Sequence, residues 1–401
     1  MNLIKQIEEI TDKCISCGFC ESVCPTLEPD GYNSVFGARG RVILADFALK
    51  ESSEGLELGN SFYSCLDCYA CVNVCPAGVN AGVVSELMRE LVASGNRGTK
   101  NPVAEMIKTS IMKYGNPLGL KEESAEWADG IKFDDSSTML ITGQMYQMMP
   151  YTRKINKVRK YIDENLTINI ASAMIRHISL IKFSRHFYNK QLRDKMNGDL
   201  KNIVSMLQKS GVKFNYLGAE EPYPGMFLHE LGYAKEFKEY AETVYNLLKE
   251  KGVKRIIAID PHTYDIFKNV YPEVVKGFKI PVVYYTDLLD LEYRKFNGNI
   301  TVQEPCHIVL HNNNFKAIDI LNSVAEIKLP ERSGKSTMCC GGPDELLFPD
   351  TAKKVSMKRY KDLKAKSDNV ITICPLCYNN LAYDENVMDF SEFMGSLMVK
   401  K

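Results

Sequence analysis

Thirteen cysteines govern what this 401-residue chain can fold into, because they fall as two runs of four and one set of five. The first run reads Cys14-x-x-Cys17-x-x-Cys20-x-x-x-Cys24-Pro25, and the second repeats it as Cys65-x-x-Cys68-x-x-Cys71-x-x-x-Cys75-Pro76. The other five are Cys306, the adjacent pair Cys339 and Cys340, and Cys374-Pro375-Leu376-Cys377. An odd total does not suit a framework of disulfides. Residues Met1 to Ile10 carry acids and lack the basic region and apolar run of an export signal. The expected setting is therefore a reduced compartment in which thiolates bind metal.

Three thiols at two-residue gaps, ended by Cys-Pro, form the ligand run of two-cluster ferredoxins, in which the fourth cysteine of each run serves the other cluster. The expected ligands are Cys14, Cys17, Cys20 and Cys75 for one [4Fe–4S] cluster, and Cys65, Cys68, Cys71 and Cys24 for the second. That exchange ties both runs into one domain. Zinc also takes Cys-x-x-Cys, but it favours paired knuckles or histidines over this spacing. Between and after the runs, Gly40–Lys50 and Val83–Val92 have helical apolar spacing. The spacing predicts an α-helical two-cluster domain over 1–130, closing near the loop Tyr114–Leu120. Two adjacent clusters with no substrate-binding features imply an electron relay.

The set of five centres on Met338-Cys339-Cys340-Gly341-Gly342-Pro343-Asp344. Paired thiols followed by two glycines put sulfurs side by side on backbone that can fold tightly. Gly341 and Gly342 are expected to offer backbone N–H donors to whatever the sulfurs hold. Five thiols exceed by one what a regular four-iron cluster takes from protein. A vicinal disulfide or two buried thiols are the plainer alternatives.

From about Ser136 the texture turns to short β-rich runs alternating with amphipathic helices, an α/β pattern. Its halves, 131–290 and 291–401, repeat one plan. Ile256–Tyr264 parallels Ile371–Tyr378, Glu221–Gly225 parallels Met338–Gly341, and Thr142-Gly143-Gln144 parallels Glu304-Pro305-Cys306. A helix from Tyr233 to Leu248, stopped by Gly252, leads to a strand over Arg255–Ile259; Ala352–Lys366 leads likewise to Val370–Ile373. Ligands in open parallel sheets gather beyond the strands' carboxyl ends, where Cys306 and Cys374 would emerge. The matching positions of the first half are Gln144, Tyr223, Pro224, Asp260 and Thr263, none of them a thiolate. His262, beside Pro261 and without a companion histidine, reads as a loop residue filling the vacated space.

Fifty basic and fifty acidic residues cancel, so no overall field recruits nucleic acid. No stretch offers the roughly 18 apolar residues of a spanning helix, which predicts a cytoplasmic protein, at most peripheral on the inner face of the membrane. Within the first half, 151–200 holds eleven Lys and Arg against four Asp and Glu, with an amphipathic helix predicted over Ala171–Phe187. It reads either as a dock for anionic lipid or an acidic partner, or as a solvated helix on its own domain. No G-x-G-x-x-G fingerprint is present, so no flavin or nicotinamide site is expected in this chain.

Two ferredoxin runs followed by Cys306, Cys339-Cys340-Gly341 and Cys374-x-x-Cys377 in a repeated α/β region resemble the D subunit of heterodisulfide reductase. The layout is also similar to the iron–sulfur subunits of anaerobic glycerol-3-phosphate dehydrogenase and glycolate oxidase. Ala38-Arg39-Gly40-Arg41, Gly115-Asn116-Pro117, Glu304-Pro305-Cys306-His307 and Cys339–Pro343 agree with that likeness. The resemblance implies an α-helical ferredoxin domain followed by two pseudo-repeated α/β cysteine-rich (CCG) domains, the first degenerate. It implies that Cys306, Cys339, Cys340, Cys374 and Cys377 hold a noncubane [4Fe–4S] centre and carry the catalysis. In the reductase two such centres face each other across a disulfide; here the first motif has lost every cysteine.

The implied function is an oxidoreductase subunit that passes electrons through two cubanes to this centre for disulfide or thiol chemistry. The alternative is an electron relay for a flavin-dependent lactate, glycolate or glycerol-3-phosphate dehydrogenase. The implied partners are a flavoprotein dehydrogenase subunit, or a membrane cytochrome or quinone subunit, and a thiol or disulfide substrate. A non-redox metal scaffold would leave the five-cysteine set without a purpose.

Overall fold

The computed structural model describes residues 2–50, 58–95, 100–120, 122–159, 161–162 and 164–399. Met1 of the acid-bearing terminus, and Lys160 and Asp163 of the basic segment, lie outside the described residues.

The amino-terminal part is helical. Helix Ala38–Lys50 buries Ala38, Val42 and Ala45, and helix Ala81–Ala93 buries Val84, Met88 and Leu91. Spacings of three and four residues make one stripe on each helix, and the stripes close over Ile7 and Phe62. Asn80 caps the second helix, its side-chain oxygen accepting from the backbone N–H groups of Gly82 and Val83. Helix Pro102–Tyr114 starts on Asn101 and stops at Gly115, whose φ of 69° suits a residue without Cβ. The loop expected after it follows.

Beyond the loop lie two sheets of four parallel strands each. The first holds β1 (Thr138–Ile141), β2 (Asn215–Tyr216), β3 (Arg255–Ala258) and β4 (Val282–Tyr284), in spatial order β2-β1-β3-β4. The second holds β5 (Asn299–Gln303), β6 (Glu326–Ile327), β7 (Val370–Thr372) and β8 (Val387–Asp389), ordered β6-β5-β7-β8. The same permutation occurs twice. Central strands are largely buried on both faces, as crossover connections require; Ile256, Ile257 and Ala258 of β3 are fully buried, and so are Ile300, Thr301 and Val302 of β5. Register sets Ile141 beside Ala258, and Gln303 beside Thr372. The loops that follow these strand pairs therefore meet at one end of each sheet.

Helix Ala234–Glu250 buries Phe237, Ala241, Val244 and Leu248 and is followed by Gly252 at φ 67°, as its periodicity predicts. The basic segment differs from expectation. In place of one helix over Ala171–Phe187, an α-helix runs over Glu164–Arg176 and a 3-10 stretch over Ile178–His186. The tighter winding aligns every third residue. Ile178 and Ile181 are thereby buried, and Ser184 donates to the Leu118 carbonyl at 2.9 Å. Docking on the Tyr114–Leu120 loop outweighs the amphipathic α-helical pattern.

Candidate functional site

Each ferredoxin-type run folds around its second cysteine by the same device. Ser16 and Gly18 flank Cys17 with φ of 57° and 86°; Asp67 and Tyr69 flank Cys68 with φ of 45° and 58°. Left-handed residues on both sides turn successive thiols inward. The cost for a non-glycine residue is roughly 1–2 kcal/mol, and Tyr69 is held there by its hydroxyl donating to Glu86 at 2.6 Å. One cavity is lined by Cys14, Cys17, Cys20 and Cys75, and a second by Cys24, Cys65, Cys68 and Cys71. The fourth cysteine of each run thus lines the other run's cavity. Four sulfurs around each enclosed space fit a [4Fe–4S] cluster.

Arg41, fully buried, reaches the second cavity with Nη1 3.8 Å from Cys24 Sγ. Its remaining donors go to the Ser61 carbonyl, Thr26 and Ser64. The Ala38–Arg41 motif signalled this residue, but no role follows from its spacing.

The five remaining cysteines come together, buried, at the carboxyl ends of β5 and β7. Cys306 opens helix Cys306–Val309, and Cys374 precedes helix Pro375–Leu381, which carries Cys377. Thiol hydrogen bonds link Cys306 to Cys339, Cys339 to Cys340, Cys340 to Cys377 and Cys377 to Cys374. These thiols stand where metal-bound thiolates would be, and five converging sulfurs fit an iron–sulfur centre with a surplus ligand. Hydrogen bonds from Cys339 and Cys377 bring the Cys340 thiol down to about 6. Burial opposes the Cys374 thiolate, yet bonds from Cys377 and His262 outweigh it and bring that thiol to about 6 as well.

The glycines are required by space. A Cβ on Gly341, at φ 84°, would lie 2.7 Å from the Ala352 carbonyl oxygen, and one on Gly342 would lie 2.4 Å from Leu376 Cγ. Gly341 N donates to Cys339 Sγ at 3.4 Å, one of the donors expected of this pair.

In the first half the corresponding residues fill their own space. A Cβ on Gly143 would strike Thr263 Oγ1 at 1.7 Å and Asp260 Oδ2 at 2.6 Å, so the loop bearing Gln144 sits directly on Asp260 and Thr263. Tyr223 and Pro224 turn elsewhere: the Tyr223 hydroxyl accepts from Phe227 N, and the Pro224 carbonyl from the Tyr271 hydroxyl.

His262 is not a loop filler. It lies in the first turn of helix Pro261–Asp265, hydrogen-bonds Cys374, and brings Nδ1 within 3.3 Å of Glu230 Oε1. Its companions, His307 and His311, come from the other half, which no local spacing could reveal. The His307 ring lies against His262 with centroids 3.9 Å apart and planes tilted by 40°.

The second ferredoxin-type cavity abuts the five-cysteine site. Val23, Leu66, Cys68 and Ala70 form one apolar cluster with Cys306, Met338 and Cys339. Arg89, buried in an ion pair with Asp67, also donates to the carbonyls of Phe62, Cys65 and Glu230. Together these contacts lock the helical domain onto both sheets.

A cavity of about 450 Å³ runs from the basic segment to this junction. Leu118, Met148, Met149, Ala171 and Phe227 make its body apolar, while Cys65, Gly342 and Leu376 lie in its wall. Thr152, Arg89 and Glu345 add polar groups. Val158, Ile170, Leu180, Phe183 and Phe187 line its outer part and are themselves exposed, Phe183 by 69%.

A model of the 4Fe-4S dicluster domain matches residues 10–79, and one of the cysteine-rich domain matches residues 300–382. The chain is 26% identical over 337 residues to a probable iron-sulfur-binding oxidoreductase, FadF, of Bacillus subtilis, an alignment covering 80% of this chain and 43% of that protein. It is 23% identical over 425 residues to EtfAB:quinone oxidoreductase of Syntrophomonas wolfei, covering 92% and 54%. It is 30% identical over 102 residues to the glycolate oxidase iron-sulfur subunit of Escherichia coli, covering 25% and 24%. The chain spans about half the length of the first two relatives. Among the described residues no helix is long and apolar enough to cross a membrane.

Proposed function

We propose that this chain, which carries a 4Fe–4S dicluster domain and a cysteine-rich domain, is an iron–sulfur electron-transfer oxidoreductase subunit that moves electrons from a flavoprotein to a lipophilic quinone. The proposed order is the Cys14, Cys17, Cys20 and Cys75 cluster, then the Cys65, Cys68, Cys71 and Cys24 cluster, then a noncubane centre on Cys306, Cys339, Cys340, Cys374 and Cys377. The clusters supply single-electron transfer. Cys17 is exposed, and beside it Ile15 and Phe19 are 68% and 61% exposed, an apolar rim suited to a docking flavoprotein. Cys68 packed on Cys306 and Cys339 favours transfer from the second cluster to the third.

The observation that carries the acceptor is the 450 Å³ cavity, whose wall holds both Cys65 and the Gly342 loop. Its size and apolar body are those of a small-molecule site, and its outer part meets exposed apolar side chains on the basic segment. A carrier that lives in lipid and takes electrons fits both ends, and a similar protein is named for quinone. At the inner end Glu345 accepts from Asn156 and Asn379, and burial pushes its carboxyl up to about 7, so it can hold a proton for the acceptor.

Disulfide or thiol chemistry at the five-cysteine centre is the second reading, carried by the convergence of five buried sulfurs, one more than a regular four-iron cluster takes from protein. Approach through an apolar cavity favours the quinone. The organisation we propose is 1–130 as the helical two-cluster domain, 131–290 as a degenerate CCG-type half containing the 151–200 segment, and 291–401 as the intact half. Identical strand order in the two sheets supports the repeat.

The test is anaerobic: dithionite-reduced protein is mixed with decylubiquinone or with a soluble aromatic disulfide, following cluster reoxidation. Quinone should reoxidise the clusters, and Met148→Trp, which fills the cavity, should slow this at least tenfold with cluster spectra unchanged. Reoxidation by disulfide that outpaces quinone, or a Met148→Trp protein as fast as the parent, sinks the quinone reading.

A further inference from the structure

We propose that Glu230, His262 and His307 form a binding site for one divalent transition-metal ion of the zinc or ferrous class, separate from the thirteen cysteines. Glu230 ends helix Met226–Glu230, His262 begins helix Pro261–Asp265, and His307 follows Cys306, so three elements from both halves deliver one ligand each. Glu230 Oε1 lies 3.3 Å from His262 Nδ1 and 3.9 Å from His307 Nε2, and the three atoms fall within 4.8 Å of one another. Around a tetrahedral ion with bonds of about 2.0–2.1 Å, ligand atoms sit roughly 3.3 Å apart. The Glu230–His262 edge already has that length, and His307 closes the triangle by moving inward.

The hydrogen-bond network shows which nitrogen is available. Asp265 Oδ2 faces His307 Nδ1 and His311 Nδ1, each at 2.8 Å. A carboxylate only accepts, so both Nδ1 atoms carry hydrogen. His311 also donates from Nε2 to the Asp67 carbonyl at 3.0 Å, so both its nitrogens are spent and it is no ligand. His307 keeps its Nε2 lone pair, and that atom is buried with no hydrogen-bond partner. An unpartnered imidazole nitrogen aimed at a carboxylate is unfavourable unless a cation lies between them. Asp265 behind His307 supplies the carboxylate–histidine–metal arrangement that fixes ring orientation in metal sites.

Two imidazoles and one carboxylate, with no sulfur, suit zinc or ferrous iron better than calcium or magnesium. A cavity of about 200 Å³ bordered by Glu86, His229 and Asn269 reaches the three ligands and leaves room for water at the open positions. The bond from His262 to Cys374 couples this ion to the five-cysteine centre.

The experiment is metal analysis of the full chain with its clusters, purified anaerobically, incubated with zinc and freed of excess. One zinc per chain is expected above the cluster iron, with an absorption-edge spectrum showing only nitrogen and oxygen neighbours. Glu230→Gln and His307→Gln should each lose this zinc while iron and sulfide stay at the parent value. Zinc with sulfur neighbours, zinc retained in both variants, or no zinc taken up by the parent overturns the assignment. Two variants from different elements separate loss of the site from loss of the fold, because either one with intact clusters suffices.

Discussion

Arg41 illustrates what one side chain contributes to a redox site. Its guanidinium is fully buried and anchored by three oxygens, so it holds a fixed positive charge beside Cys24. A reduced cluster carries one more negative charge, which that cation stabilises. A charge-assisted bond is worth about 1.5–3 kcal/mol, and a tenfold change corresponds to about 59 mV for one electron. Arg41→Gln should therefore lower the potential of the second cluster by on the order of 65–130 mV in a redox titration followed by electron paramagnetic resonance. The first cluster should not move; equal shifts in both would remove the assignment of Arg41 to one cluster. At this scale the cysteines were legible and their helpers were not. Gln144, Asp260 and Thr263 could be matched by position, but Glu230, Asp265, His307 and His311 are joined only by folding. The reading of His262 as filler failed for that reason: its nearest companion lies 45 residues on, in the other half.

The element that departs most from its sequence pattern is the basic segment. Its α-helix Glu164–Arg176 and 3-10 stretch Ile178–His186 leave Ile170, Leu180 and Phe183 outward at the cavity's outer part. Lys182 and Arg185 flank them, so a lipid interface with anionic headgroups is the occupant to test. Sedimentation with vesicles containing anionic lipid should fall at least fivefold in a Leu180→Ser, Phe183→Ser double variant, with cluster content unchanged. Unchanged sedimentation would mean that the segment packs on protein. Amphipathicity was visible in the sequence, and the break at His177 was not, because burial of Ile178 and Ile181 against a distant loop decided the winding. The strands behaved otherwise: β1, β3 and β7 are short, mostly apolar runs whose place in a parallel sheet follows from their alternation with helices.

On the proposed quinone reading, electron flow through the whole molecule would be tied to proton supply at Glu345, which contacts Asn156 and Asn379 and so joins the basic segment to the five-cysteine half. Burial raises its carboxyl from the ordinary 4.5 to about 7. The protonated form prevails below that value and is lost as pH rises through it. Quinone reduction should therefore slow above about pH 7, and Glu345→Gln should flatten that limb of the pH profile. A parent profile level from pH 6 to 8 would exclude Glu345 as proton source.

The packing of Cys68 against Cys306 and Cys339 bears on how such a chain matures. Sulfurs of two centres share one apolar contact, and the Gly341–Gly342 loop and the helical domain pack over the five-cysteine set. Both the Gly341–Gly342 loop and the helical domain cover those thiols, so iron and sulfide reach them most directly before the helical domain docks. Loading before docking is the order this packing favours: the five-cysteine centre filled first, on an open chain, and the helical domain settling over it afterwards.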